Sequence, residues 1–475
     1  MAKLFINGEF VDSVSGEVEE IRCPATGDVV DTVSWGTAED VGRAVEAASR
    51  AFEGWWATPA SKRGATLYRG ARLIEENIDE LAQTLTLEQG KPLREARLEL
   101  RRFIHTLEYY AGLSKNIRGG YVPNLDEGKY GLILKRPIGV CAAIVPWNFP
   151  VSLMGNKIAP ALVAGNTVVV KPAGTTPLTD TKVCGLLTQA GLPPGVLNVV
   201  VGSGGVVGQA LVEHPKVRKI GFTGSTPVGR HVMATAAQQI KRVTLELGGS
   251  DPMIVCEDAD IDRAVSAASV GRFFNCGQAC LAIKRLYIFE SIADEFTDKL
   301  LAKVKRLRVG HGTEDGVLIG PLHTAYQRQE VEEQVQDAVQ RGATVLVGGE
   351  RPAGDGYEHG NFYLPTLLVD VDPESRVSRE EVFGPALPIW RVHDIDEAIA
   401  RANDHIYGLG SSIWTRDLEK ATVAAERLEA GYTWINSAQI IYDELPFGGM
   451  KQSGLGKEHG IEALEYYMET KAVVV

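Results

Sequence analysis

The chain contains no run approaching the roughly 18–20 consecutive apolar residues that a membrane-spanning helix needs, so no membrane is expected among its partners. Residues Met1 to Glu9 hold no apolar core followed by a cleavage-like site, and no signal peptide or anchor is expected there. Cysteine is scarce. The six cysteines, at 23, 141, 184, 256, 276 and 280, are too few and too irregular for a disulfide framework, which fits a reducing, cytoplasmic setting. Only Cys276 and Cys280 lie close together, and no histidine pair or second cysteine pair accompanies them, so no metal is expected. Positive charge is short as well. A formal net charge of -12 gives no electrostatic case for nucleic acid or an anionic membrane as a standing partner. It says nothing against a small anionic cofactor, which needs only a local site.

At 475 residues the chain exceeds what one uninterrupted core serves, and two or more domains are expected. Its 51 glycines fall in short clusters between apolar runs, a pattern of tight βα connections. Phe5 to Phe10 reads as a hairpin, and helical patterns follow from Thr37, a candidate cap, to about Gly112. Residues 119 to 138 read as a pair of strands, and Lys471 to Val475 as a short strand left without a partner; both hint at a subunit contact. From 139 to 248, near-continuous apolar strands alternate with helices, the signature of a buried parallel sheet. In the helix after Gly139–Val145, Pro160 demands a kink or a boundary. From 249 onward a second α/β unit follows. Its helix starting near 260 can be capped by Asp258 or Asp260, and its strand from Ile283 to Phe289 is interrupted only by Lys284 and Arg285.

Several stretches carry chemistry. Cys280 closes Phe273-Phe274-Asn275-Cys276-Gly277-Gln278-Ala279-Cys280, a short connection between a helix and a strand that can hold a reactive atom still and reachable. A buried cysteine used as a small hydrophobe is the plainer reading. Glu246 stands between leucines in Val243 to Gly249, where a carboxylate is costly unless solvated or tuned for proton transfer. Pro146-Trp147-Asn148-Phe149-Pro150 ends the first parallel strand, and the Asn148 amide can donate to a negative oxygen. Gly202 to Gly208 has the wrong final spacing for a dinucleotide fingerprint. Gly221 to Gly229 is better placed: strand, turn and helix start, with Ser225 at the opening for a pyrophosphate. Lys171, at a strand's carboxyl end, can meet a ribose hydroxyl or a phosphate, or simply be solvated.

Taken in order, PWNFP (146–150), GFTGSTPVG (221–229), LELGG (245–249), FFNCGQAC (273–280), EEVFGP (380–385) and PFGG (446–449) resemble the aldehyde dehydrogenase superfamily over essentially the whole chain. The resemblance implies two open parallel-sheet α/β domains plus a small β oligomerisation arm. Residues 1–118 and 138–248 would bind the dinucleotide, 249–446 would carry catalysis, and 119–137 with 447–475 would form the arm and C-terminal tail of a homodimer or homotetramer. It implies Cys280 as nucleophile, Glu246 as general base, Asn148 as oxyanion donor and Glu458 as a proton relay. On the NAD or NADP side it implies Val145, Pro146, Trp147, Lys171, Gly174, Gly204, Gly208, Phe222, Gly224, Ser225, Val228, Leu247, Glu381 and Phe383.

The implied reaction is oxidation of an aldehyde to the acid through a cysteine thioester that Glu246 helps to hydrolyse. Acylation of coenzyme A is disfavoured by the presence of Glu246, and a noncatalytic structural member would be expected to have lost Cys280 or Glu246. One departure concerns the cofactor: relatives that prefer NAD usually carry glutamate three residues after the lysine, and here that residue is Gly174. Its absence removes repulsion toward a 2'-phosphate, so NADP or dual use is expected. The glycine can alternatively accommodate a neighbouring loop. No arginine occurs in Leu153 to Lys157 or in Asn436 to Leu445, which points to a neutral aliphatic or aromatic aldehyde. Semialdehydes are the alternative, as are aminoaldehydes or betaine aldehyde should Asp443 and Glu444 face the substrate.

Overall fold

Five short apolar strands lie parallel in the first sheet of the computed structural model, which describes residues 1–475: β1 (Val140–Ile144), β2 (Thr167–Lys171), β3 (Leu197–Val199), β4 (Val217–Thr223) and β5 (Arg242–Glu246). Their order across the sheet is β3-β2-β1-β4-β5. The chain therefore walks outward from β1 through β3, then returns to the other flank of β1. That reversal opens a crevice beyond the carboxyl ends of β1 and β4, where open α/β sheets take their ligands. Leu4–Ile6 and Glu9–Val11 form the expected hairpin, which extends the sheet on the β3 side.

Four helices position the site: α1 (Leu93–Leu113), α2 (Pro150–Ala164), α3 (Thr226–Ala237) and α4 (Ile261–Phe273). Nearly every residue of α2 is buried, so it is covered on all sides. It runs through Pro160 without stopping: burial holds it helical against the roughly 3 kcal/mol that an interior proline costs. Asp260 caps α4 by accepting the Arg263 N–H, whereas Asp258 bonds Thr415 and the Arg416 N–H. Thr37 makes a reciprocal capping box with Asp40 at the first helix.

The second sheet has seven strands. Its parallel centre is β6 (Asp251–Val255), β7 (Ile283–Phe289), β8 (Ala386–Val392) and β9 (Gly410–Trp414). All seven residues of β7 are buried, including Lys284 and Arg285, so the two charges do not interrupt it. Arg285 donates to the carbonyls of Ser250, Arg401 and Ala402. The two largest apolar cores are distinct, one of 64 buried residues around the first sheet and one of 34 around the second.

A third sheet joins Gly120–Asp126, Lys129–Pro137 and Met468–Val474. The C-terminal strand that lacked a partner in the sequence thus pairs within its own chain. The rest of the tail does other work. Gly454–Leu455 adds antiparallel to β5, and Ala463, Leu464 and Tyr467 enter the first core. No helix is long and apolar enough to cross a membrane.

Candidate active site

After α4 the chain makes a tight left-handed passage, with φ of 50° at Asn275, 55° at Cys276 and 74° at Gly277. Such angles disfavour residues with a Cβ, and hydrogen bonds from outside the loop hold them. Glu95 accepts the Asn275 N–H at 2.9 Å, and the Asn275 amide donates to the Asn148 carbonyl at 2.9 Å. Gln278 accepts the His323 N–H at 2.8 Å. The passage ends at Cys280, which together with Leu153 lines two cavities, of about 260 and 240 Å³. Enclosure pushes the Cys280 thiol up to about 12; Lys284 opposes this, and Glu246, Glu381 and Asp251 reinforce it. The resting thiol is therefore protonated at neutral pH, and attack as thiolate requires its proton to be taken. Cys276, four residues earlier, is buried.

The larger cavity is the crevice at the switch point. Pro146, Trp147 and Asn148 line it from the end of β1, Gly224 and Ser225 from the end of β4, and Leu247 from the end of β5. Glu381 and Phe383 close it from the second unit. Trp147 stacks on His323 at 4.6 Å and meets Phe383 edge-on at 5.6 Å. Burial pushes His323 down to about 4, so this stack is neutral. Asn148 spends one amide N–H on the Gln278 carbonyl at 3.0 Å, leaving the second for a ligand oxygen. Ser225 caps α3 without a side-chain capping bond, so its hydroxyl stays available beside the free N–H groups of the helix start. A Cβ on Gly224 would come within 2.6 Å of the Phe222 ring, which explains the glycine there. These features fit a dinucleotide.

The other expected cofactor residues do not line this crevice. Val145 is buried and donates its N–H to the Lys171 carbonyl at 3.1 Å. Phe222 is buried within β4, and Val228 is exposed on α3. Lys171, Gly174, Gly204 and Gly208 belong to the flank beyond β2 and β3. The Lys171 ammonium is buried and donates only to the Pro172 carbonyl, at 3.0 Å, which leaves two N–H donors unspent. Burial lowers it to about 8. Gly208 passes over its stem, and Gly204 stands in open space. Trp35 covers Gly174: a Cβ there would lie 2.5 Å from the indole Cη2.

Glu246 lines neither cavity. Its Oε1 is buried without a partner and lies against Gly448. Burial first, then repulsion from Glu458, raises its carboxyl well above the usual range. Glu458 is paired with Lys157 at 2.7 Å, and Lys157 also reaches the Thr223 hydroxyl at 2.6 Å. Its proton can leave by way of Glu458 and Lys157, the paired acid and lysine beside it, and the carboxylate so formed can accept a proton once it turns toward Cys280.

The smaller cavity is mostly apolar, with Leu98, Phe149, Phe274, Leu281 and Ile441 in its wall; its polar lining includes Glu99, Arg102, Ser152, Asn156 and His459, none of which sequence reasoning placed there. Phe149 and Phe274 stack at 6.0 Å. Leu98 and Arg102 stand four residues apart on one face of α1, a spacing legible in the sequence; what that face meets was not. Asp443 is wholly buried and accepts from Arg102 at 2.8 Å, with His105 and His459 at 2.5 and 2.7 Å. Asp443, Glu444 and Tyr442 are not part of the wall, whereas Gln439 is.

A family model described as the aldehyde dehydrogenase family matches residues 10–473. A glutarate-semialdehyde dehydrogenase of Pseudomonas putida is 43% identical over 472 residues, covering 99% of this chain and 97% of that protein. The NADP(+) succinate-semialdehyde dehydrogenase GabD of Escherichia coli is 43% identical over 471 residues, with coverage of 99% and 97%. A solved structure of betaine aldehyde dehydrogenase from Staphylococcus aureus in complex with NAD+ matches with a TM-score of 0.97 at 37% identity, covering 100% of this chain and 95% of that one.

Proposed function

The chain belongs to the aldehyde dehydrogenase family, and we propose that it oxidises its aldehyde through a thioester on Cys280, with Asn148 as oxyanion donor and Glu246 as general base. One observation carries this reading: Cys280 stands in the wall shared by the crevice beyond the strand ends and a separate, mostly apolar cavity. The aldehyde enters from the apolar side. The Cys280 thiol gives up its proton to solvent through the open crevice, and as the sulfur attacks, the carbonyl oxygen gathers charge and is met by the spare Asn148 N–H and the Cys280 backbone N–H. The bound nicotinamide cofactor, NAD or NADP, supplies the hydride acceptor. Glu246, its own proton first passed to the Glu458–Lys157 pair, then swings as a carboxylate from Gly448 toward the thioester and takes a proton from the attacking water.

Two finer assignments follow. For the cofactor we take NADP or dual use, supported by the unspent donors of Lys171; Trp35 packed on Gly174 favours the other reading of that glycine, as room for a neighbouring segment. For the substrate we take a neutral aliphatic or aromatic aldehyde, supported by the apolar wall. A semialdehyde is the second reading. It is favoured by Arg102, whose guanidinium reaches the cavity although Asp443 offsets its charge, and by the names of the two relatives. An aminoaldehyde loses its support, because Asp443 points at Arg102 and the histidines and not at the cavity. The first unit would bind the dinucleotide and the second carry catalysis. Exposed Tyr121, Val122 and Leu125 on the outer strand of the third sheet support assembly into a homo-oligomer.

The test is an aldehyde panel followed by NAD(P)H absorbance with each cofactor, with and without coenzyme A, on the wild type and Cys280→Ala. Turnover independent of coenzyme A, and lost in folded Cys280→Ala, is expected. Full activity in that variant would remove Cys280 from the reaction.

A further inference from the structure

The reaction above makes no use of Lys284, a buried cation next to the nucleophile's loop. Lys284 sits in β7 with no exposed side-chain surface, and burying an ammonium costs several kcal/mol unless its donors are satisfied. An ammonium has three N–H donors, and three acceptors meet them. The Ala279 carbonyl lies at 2.9 Å, the Cys280 carbonyl at 2.6 Å and Glu381 Oε1 at 3.0 Å. Glu381 lines the crevice, and the same oxygen accepts the Gly249 N–H at 3.1 Å. Gly249 in turn lets the Cys280 carbonyl approach, since a Cβ there would lie 2.6 Å from that oxygen. One ammonium thus bridges the peptide of the sulfur-bearing residue to an acid in the wall of the crevice.

We propose that Lys284 is a positioning residue that fixes the Cys280 peptide, and with it the direction of the sulfur and the backbone N–H, and that relays the state of Glu381 to the thiol. The inference rests on the reading of Cys280 as nucleophile. While Glu381 holds the ammonium, its negative charge cancels much of the positive field that the sulfur feels. A ligand hydroxyl in the crevice that draws Glu381 away frees that field and favours the thiolate, so filling the crevice arms the nucleophile. The other charged groups felt by the sulfur are Glu246, from the end of β5, and Asp251, from β6; both oppose ionisation. Asp251 is itself pushed by burial up to about 7, with Lys284 the strongest counterweight. Arg285 faces the Ser250 carbonyl and does not share in the bridge.

The test needs no turnover. The full-length, cofactor-free protein is treated with iodoacetamide across a pH series, and modification of the Cys280 peptide is followed by mass spectrometry. Lys284→Met should slow alkylation about tenfold at mildly alkaline pH, the equivalent of one unit in thiol acidity, and Lys284→Arg should recover most of the rate. Glu381→Gln should move the other way and speed it. Saturating NADP+ should accelerate the wild type and leave Lys284→Met unchanged. A folded Lys284→Met with the wild-type profile overturns the proposal. So does a Glu381→Gln that is no faster than wild type, and this arm stands even if Lys284→Met fails to fold. If alkylation of Cys280 leaves aldehyde oxidation intact, the reading of the nucleophile fails instead.

Discussion

Replacing Gly174 with glutamate probes the cofactor assignment through a contact that can be measured. The new Cβ would be forced to 2.5 Å from the Trp35 ring, and overpacking of this kind costs about 1–3 kcal/mol. Gly174→Glu alone should therefore lower the melting temperature and disturb the flank holding Lys171, whereas Trp35→Ala with Gly174→Glu should relieve the clash. In that double variant a carboxylate stands near the unspent Lys171 ammonium. At an effective dielectric of about 20, a carboxylate about 5 Å from a phosphate costs about 3 kcal/mol. This corresponds to NADP+ binding weaker by on the order of 100-fold, while NAD+ binding holds or improves. Isothermal titration of both nucleotides against the wild type, Trp35→Ala and the double variant gives the ratio directly. A wild type that strongly prefers NAD+, or a double variant with unchanged discrimination, would refute the reasoning.

Other outcomes follow from the same geometry. Arg102→Leu should raise KM about 10- to 100-fold for an aldehyde bearing a distal carboxylate, if semialdehydes are substrates, and barely change it for a neutral one; steady-state kinetics with a matched pair decides. Glu88 is buried, accepts from Leu178 and Thr179, and is pushed by burial up to about 7. The folded chain therefore keeps a proton that the unfolded chain releases near its ordinary value. The contribution is complete below that value and disappears as pH rises through about 7. Melting temperature followed from about pH 5 to about pH 8 should fall more steeply in the wild type than in Glu88→Gln, and parallel slopes would contradict this.

The alternation of apolar runs and helices made the β1 to β5 order along the chain readable, because strands buried on both faces leave nearly unbroken apolar stretches. The placement of Pro146 to Asn148 and of Gly224 with Ser225 at strand ends followed from the same alternation. What could not be read was contact between distant segments. Lys284 and Arg285 looked like an interruption of β7 because the acid that meets Lys284 and the carbonyls that meet Arg285 lie far along the chain. Arg102 reaches the cavity from α1, and its partner Asp443 lies 341 residues away. Gly174 gives no sign in sequence that an indole from residue 35 covers it. Glu246 was found from its apolar neighbours, but the direction of its carboxyl, against Gly448, depends on a tail that returns to the first sheet.

The most direct test of the chemistry is to stop the reaction after hydride transfer. Glu246→Gln, mixed with a substrate aldehyde and the preferred cofactor, should give a burst of reduced nicotinamide equal to the number of sites, followed by slow turnover. Intact mass and peptide mapping of the quenched protein should find the acyl group, the aldehyde less one hydrogen, on Cys280. Rapid sustained turnover in that variant, or a burst with the acyl group on another residue, would contradict the account.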